Sequence, residues 1–299
     1  MKTIVIFGGC GLVGSYLCEL LNSSNKIIVI DKNLPRFDLD SLGIQFIKSD
    51  ILDCQNYEFC LNPGDIYISC QAQIKSNYSA DFYKNNVESQ KIINALAIKF
   101  NAKLIHISSS VVNSLADDDY VHSKTEQERQ VTCQNNFKYT ILRPTLMYGH
   151  YDNKHFGWLA NFLSRSPVFP VPGNGKFQRQ PLYAKDFCRI IQAIIERDLF
   201  NNSIFDISGL EKKSYIEIIL MIKQLINSRS IILYLPISLF RGLLKIYSSI
   251  NTNPPFTVKQ LDALIIPEIF PGDDWSSKFE IKPTSLSEGL KETFSHEKL

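Results

Sequence analysis

The stretch Thr3-Ile4-Val5-Ile6-Phe7-Gly8-Gly9-Cys10-Gly11-Leu12-Val13-Gly14 decides the fold of this chain. Residues 4–7 form a short apolar run of the kind that builds a buried strand. The run ends in glycines at 8, 11 and 14 and passes into an amphipathic stretch, Leu12–Leu21, that reads as a helix. Each glycine has a physical purpose at that spacing. Gly8 permits the tight turn, Gly11 lets a pyrophosphate approach the backbone, and Gly14 lets helix and strand pack closely. The helix start, at Leu12 and Val13, adds N–H groups without intrahelical partners and the positive end of a dipole.

The next apolar run, residues 27–30, ends at Asp31. A carboxylate there accepts hydrogen bonds from the two hydroxyls of an adenosine ribose. Its charge opposes a 2′-phosphate, which favours NAD over NADP, although Lys32 and Arg36 stand nearby. Asp50 follows the run at 44–47 and has two readings. It accepts a bond from the adenine amine, with Ile51 beside it, or it caps a turn or helix.

Outward from this unit the alternation continues. Apolar runs at 44–47, 66–69, 104–107 and 139–142 are separated by helical patterns, the clearest at 82–100 and 120–133. Such alternation implies an α/β fold, a Rossmann-type doubly wound parallel sheet. After Pro144 the texture changes, with prolines and glycines from Pro167 to Gly175. A helix over 185–197 and a run at 204–207 return to the sheet. Residues 1–150, with 182–210 returning, are expected to form an NAD-binding domain. Residues 151–181 and 211–299 are expected to form a smaller mixed substrate-binding domain, ending irregularly around Pro254-Pro255, Pro267 and Pro271.

Tyr120-Val121-His122-Ser123-Lys124 puts a tyrosine and a lysine on one face of the second helical pattern. A free tyrosine ionises near pH ~10, too high for an efficient base. A neighbouring ammonium and the positive nicotinamide ring both favour the phenolate. Lys124 also has the reach to hold the nicotinamide ribose. Ser108-Ser109-Ser110 ends the preceding strand, where a hydroxyl can share the proton of the substrate oxygen.

With these motifs in order, the sequence resembles an extended short-chain dehydrogenase/reductase of the NAD-dependent epimerase/dehydratase group, from residue 3 to about residue 210. The resemblance implies that Asn86 supports the active-site architecture and the cofactor. It implies that Leu142-Arg143-Pro144-Thr145-Leu146-Met147-Tyr148-Gly149 passes the nicotinamide, and that Arg179, after Gly173-Asn174-Gly175 and before Asp186, grips a nucleotide-sugar diphosphate. The family's Ser-Ser-x-x-Val-Tyr-Gly segment matches in the register set by Val112. Ser109 is then the catalytic serine, and Ser110 contacts the substrate. Asn113 and Ser114 replace the usual Tyr-Gly, and the loop from Ser109 to Tyr120 is short. Sugar 4,6-dehydratases of this group carry an Asp-Glu pair where this chain has Ser110 and Val111, so water elimination by that route is not expected.

The resemblance implies an NAD-dependent nucleotide-sugar epimerase, with catalytic residues Ser109, Tyr120 and Lys124. The cofactor set is Gly8, Gly11, Leu12, Val13, Gly14, Asp31, Asp50, Ile51 and Asn86, joined by Tyr120 and Lys124. Two alternatives are a keto-sugar reductase using NAD(P) and a non-catalytic dinucleotide-binding scaffold. The net charge of +2 gives no footprint for nucleic acid. The seven cysteines are odd in number and lack a C-x-x-C pair, so reduced thiols in the cytoplasm are expected, with no metal centre. His150 and His155 lack partner spacing for a metal, His106 reads as a core side chain, and Cys10 is there because it is small. The apolar stretch 231–250 is broken by Pro236, Arg241 and Lys245, which argues against a spanning helix. It is expected to be buried or dimer-facing, with a membrane-surface position as the other reading. The helices over 82–100 and 120–133 are expected to pair in a homodimer.

Overall fold

β1 (Thr3–Phe7) lies inside a sheet in which its side chains from Ile4 to Phe7 are fully buried. The chain continues through α1 (Leu12–Leu21), β2 (Lys26–Asp31), β3 (Gln45–Lys48) and β4 (Ile66–Ser69). Next come α2 (Ser79–Phe82), a π-helical segment Tyr83–Glu88 and α3 (Ser89–Lys99), then β5 (Lys103–Ile107), α4 (Asp119–Thr132) and β6 (Tyr139–Pro144). A helix at Ala184–Glu196 and a strand at Ser203–Ile207 return later in the chain. The seven strands run in the order Ser203–Ile207, β6, β5, β4, β1, β2, β3. All pairings in that sheet are parallel. Strand order reverses between β1 and β4, so the crevice for a ligand lies at the carboxyl ends of those strands. The glycine turn after β1 occupies that place.

The computed structural model describes residues 2–114, 116–251 and 256–295, which divide into two units. The first contains the seven-stranded sheet and takes in residues up to Thr145, Ala184–Ser208 and Pro271–Pro283. The last segment departs from the expectation that everything beyond 210 belongs to a substrate domain. The reason is local. Trp275 is 2% exposed and its indole N–H donates to the Ser208 carbonyl at 2.8 Å. Phe279 meets Phe205 edge-on at 5.7 Å, Asp206 N–H donates to Asp273 Oδ2, and Asp273 N–H donates to the Asp206 carbonyl. Prolines at 267 and 271 had suggested irregular chain, yet short helices form at Val258–Ile265, Trp275–Phe279 and Leu286–Phe294. Thr257, Asp274 and Ser285 cap their first turns. Pro254 and Pro255 lie outside the described residues.

The second unit comprises the described residues of 146–183, 209–270 and 284–295. Three two-stranded sheets are present in it, pairing Met147–Tyr148 with Leu182–Tyr183, Val168–Pro172 with Ile231–Leu235, and Gln178–Arg179 with Lys213–Ser214. Helices Phe156–Arg165, Tyr215–Leu225 and Leu286–Phe294 close over a core of Phe156, Leu159, Phe169, Ile218, Ile222 and Leu290. Tyr148 is stacked between Phe156 and Tyr183, at 5.2 and 5.4 Å. Any Cβ at position 289 would sit 2.3 Å from the Tyr148 hydroxyl, which is why glycine stands there.

Burial within the fold, one of the readings of the stretch 231–250, does not hold. In the helix Ile237–Ile250 only Phe240 is buried, although the helix is apolar over much of its circumference. Among the described residues no helix is long and apolar enough to cross a membrane.

Candidate active site

The glycine turn has the geometry that a pyrophosphate requires. Gly8 has φ +77°, and a side chain there would meet the Gln71 backbone at 2.8 Å. A Cβ on Gly14 would meet the Gly9 backbone at 2.4 Å, so the helix approaches the turn more closely than any other residue permits. At Gly11 the nearest atom to such a Cβ is the Gly8 oxygen at 3.6 Å. Gly11 is also the N-cap of α1 and supplies no side chain to the first turn. The helical ladder begins with Ser15 N–H to Gly11 O, so the N–H groups of the first turn are offered outward at the positive end of the helix. These features fit a dinucleotide phosphate.

Asp31 closes the turn from the other side. Its Oδ2 accepts from Cys10 N–H at 2.9 Å and its Oδ1 accepts from the backbone and side-chain N–H groups of Asn33. Beyond the ends of β2 and β3 lies a cavity of about 310 Å³ lined by Lys32, Lys48, Ser49, Asp50, Asp53 and Asn56. Asp50 faces it and also fixes the turn that follows, its Oδ1 accepting from Leu52 N–H at 3.1 Å. Ile51 is mostly a core residue, and its carbonyl accepts from the buried Tyr57 hydroxyl at 2.6 Å. Cys10 is a thiol rather than a thiolate, because burial and then the charge of Asp31 push it up to about 12.

Tyr120 and Lys124 lie on one face of α4, as their spacing requires. The first turn of that helix is capped by Asp118, whose carboxylate accepts from Val121 N–H at 2.9 Å. Tyr120 is half-buried beside Phe82, with ring centroids 6.5 Å apart. Lys124 is 1% exposed, and its Nζ donates to the Ile107 carbonyl at 2.9 Å and to Gln127 Oε1 at 2.6 Å. Burial pulls the Lys124 ammonium down to about 7, with Glu128 and Cys70 opposing the fall. Burial therefore works against the positive charge expected of this lysine.

Ile107 ends β5, two residues before Ser109. Ser109 is half-buried and caps the short 3₁₀ turn Ser110–Asn113, its Oγ accepting from Val111 N–H at 3.4 Å. Ser110 is buried in that turn. His122 points away from the Tyr–Lys face and pairs with Asp117 at the surface. His106 is fully buried with Nδ1 3.1 Å from Ser69 Oγ, and burial followed by the Lys124 charge keeps it neutral.

Two of the expected contact residues are occupied within the protein. Asn86 is fully buried in the π-helical segment, where the altered hydrogen-bond ladder turns it inward. Its Oδ1 accepts from Gln73 N–H at 2.7 Å and its Nδ2 donates to Ser123 Oγ at 2.9 Å, which ties the chain after β4 to α4. Both ends of the Asn86 amide are thus bonded within the protein, which fits the expected supporting role. Arg179, in the second unit, is 4% exposed. Its guanidinium donates to the carbonyls of Gln178, Ile266 and Leu264 and lies 3.5 Å from Glu268. Desolvation lowers its pKa, with Glu268 acting against the fall. That geometry makes it a staple for the segment around 264–268, with its donors turned to the protein instead of to a diphosphate.

One group escaped the sequence reading. Glu128, 7% exposed, accepts from Ser108 Oγ at 2.7 Å and forms a two-pronged ion pair with Arg143. Arg143 also approaches Asp206 at 3.7 Å. Positions 120, 124 and 128 follow a helical period, so the face was legible, but the serine and arginine partners were not. Among the described residues no cluster of His, Cys, Asp or Glu is arranged for a metal ion.

Comparison with known proteins bears on this arrangement. Residues 4–208 match the NAD dependent epimerase/dehydratase family. A UDP-N-acetyl-alpha-D-glucosaminuronate decarboxylase from Bacillus cytotoxicus is 24% identical over 269 residues, covering 79% of this chain and 84% of that protein. A decarboxylating sterol-4-alpha-carboxylate 3-dehydrogenase from Dictyostelium discoideum is 21% identical over 244 residues, covering 72% of this chain and 74% of that protein. The crystal structure of a UDP-glucuronic acid 4-epimerase from Bacillus cereus, in complex with UDP-glucuronic acid and NAD, has a TM-score of 0.74 at 21% identity, covering 99% of this chain and 98% of that one. Likeness at that identity is a likeness of fold.

Proposed function

The chain belongs to the NAD dependent epimerase/dehydratase family, and from that membership we propose that it is an NAD-dependent nucleotide-sugar epimerase with Tyr120 as its base. The carrying observation is Lys124, which stands one helical turn from Tyr120 and is bonded to the strand end that leads into Ser109. The uncapped start of α1, Gly11 and Asp31 would hold the pyrophosphate and adenosine ribose of NAD. Held there, NAD would supply the hydride acceptor and donor for a sugar carbon. Tyr120 Oη takes the proton of the sugar hydroxyl, and Ser109 Oγ hydrogen-bonds the same oxygen. Lys124, charged below about 7, lowers the cost of the phenolate. Ser110 and Val111 offer no acid–base pair for water elimination, which disfavours dehydration.

A second reading has a specific observation behind it. Two relatives are named as decarboxylating enzymes, so oxidation of a sugar acid followed by loss of carbon dioxide fits the same tyrosine chemistry. Incubation with UDP-hexoses and UDP-uronic acids, without added reduced cofactor, separates the two. A stereoisomeric product with no net cofactor change supports epimerisation. Release of carbon dioxide from the uronic acid supports the second reading. Full turnover by Tyr120→Phe rejects both.

A further inference from the structure

We propose that the second unit carries a docking surface for an anionic lipid bilayer, formed by the strand Ile231–Leu235 and the outer face of the helix Ile237–Ile250.

Half of the exposed large apolar side chains among the described residues fall between Leu220 and Ile250. On the helix they are Leu239, Leu243, Ile246, Tyr247 and Ile250, between 44% and 79% exposed. Their spacing of four, three, one and three residues lays them along one stripe. The adjoining stripe holds Phe240, which is buried against Phe256, and Arg241, which pairs with Asp262. The helix thus turns its apolar stripe outward, with Phe240 the one residue buried against its own unit. On the strand, Ile231, Leu233 and Tyr234 are also exposed, at 68%, 47% and 51%. The helix stripe alone exposes five large apolar side chains on one face, and such a stripe marks an interaction site.

Charge selects the occupant. Between Glu217 and Asp262 the chain has Lys223, Arg229, Arg241, Lys245 and Lys259 and no aspartate or glutamate; of these, Arg241 is neutralised by Asp262, and the other four make the segment cationic. The chain as a whole carries only +2, so this cationic segment is a local feature. A second copy docking across a two-fold axis would set the same cations against each other. An anionic membrane surface takes both parts, the apolar stripe at the acyl boundary and the cations among the headgroups. The helix is too short to span and lies in the plane of the interface.

The full chain is sedimented with vesicles of phosphatidylcholine containing one-third phosphatidylglycerol, and with vesicles of phosphatidylcholine alone. Binding to the anionic vesicles is expected to fall about tenfold in Leu243→Glu/Ile246→Glu, and severalfold in Lys245→Glu or at high salt. Exposed side chains are changed in both variants, so the thermal unfolding midpoint stays that of the parent. Equal binding to both vesicle types, or none to either, overturns the proposal. So does a dimer in sedimentation equilibrium that Leu243→Glu/Ile246→Glu dissociates, since the surface then belongs to a second copy.

Discussion

Lys124 Nζ donates to the main-chain carbonyl of Ile107 at 2.9 Å, so a side chain buried in α4 is fastened to the last residue of β5. The bond sets the distance between the tyrosine helix and the serine turn without any help from substrate. It also isolates the ammonium from water, which is why burial dominates its ionisation. Its charged neighbour in the fold is Glu128, and Cys70 and His106 also interact with it.

The folded protein holds Lys124 at about 7 against an ordinary 10.5. Between those values the unfolded chain binds one more proton than the folded one, so this group adds stability as pH rises through the window and adds none below it. The slope is roughly 1.4 kcal/mol per pH unit. Denaturant unfolding of the parent and of Lys124→Met, compared from pH 6 to pH 10, checks this. The parent is expected to gain on the variant above about pH 7. A difference that stays constant with pH rejects the depressed ionisation.

Glu128 ties α4 to Ser108, just after β5, and to Arg143 in β6. Glu128→Gln keeps the shape and removes the charge, leaving Arg143, 19% exposed, to the longer 3.7 Å contact with Asp206. The expected loss is about 2–3 kcal/mol, because a mostly buried guanidinium loses its main partner. Ser108→Ala removes one hydrogen bond and costs about 1 kcal/mol. Chemical denaturation that ranked the serine above the glutamate would show that the ion pair contributes little.

The sheet was legible because each of its strands is a short apolar run bounded by turn residues, and Ile66–Ser69 was placed to the residue. The glycine turn was equally legible, since steric rules tie each glycine to a task. The hidden parts depend on contacts between residues distant in sequence. No local pattern shows that Trp275 returns to Ser208, or that the π-helical register turns Asn86 inward onto Ser123. Arg179 shows the limit of a motif, because its donors are taken by carbonyls 85 and 87 residues away. Boundaries moved by a residue or so wherever an apolar run met a polar residue that still joins the ladder, as at Lys48 in β3.

On the proposed reading, cofactor selectivity rests on Asp31. Lys32 and Lys48 line the cavity beyond it and would welcome a phosphate that the Asp31 carboxylate repels. Asp31→Asn retains an oxygen to accept from Cys10 N–H and loses the charge. The ratio of NADP to NAD dissociation constants is expected to fall at least about tenfold, a change of roughly 1.4 kcal/mol. Fluorescence titration with both cofactors measures it, and an unchanged ratio would move selectivity elsewhere.

Trp275 tests where the late segment belongs. Its ring is 2% exposed and its N–H reaches the Ser208 carbonyl at 2.8 Å, while Asp273 N–H bonds the Asp206 carbonyl at 2.8 Å. The strand Ser203–Ile207 pairs with β6 on one side only and stands at the end of the sheet order. The late segment therefore covers an edge that would otherwise present unpaired backbone groups. Trp275→Ala removes a large buried ring and is expected to cost about 3–5 kcal/mol, whereas Trp275→Phe loses mainly the hydrogen bond and about 1–2 kcal/mol. Amide exchange locates the damage. In Trp275→Ala the Asp206 amide, which donates to Asp273 Oδ2 at 2.8 Å, should exchange faster, while amides of the helix Tyr215–Leu225 in the second unit keep their rates. Faster exchange confined to the second unit would assign the segment there instead.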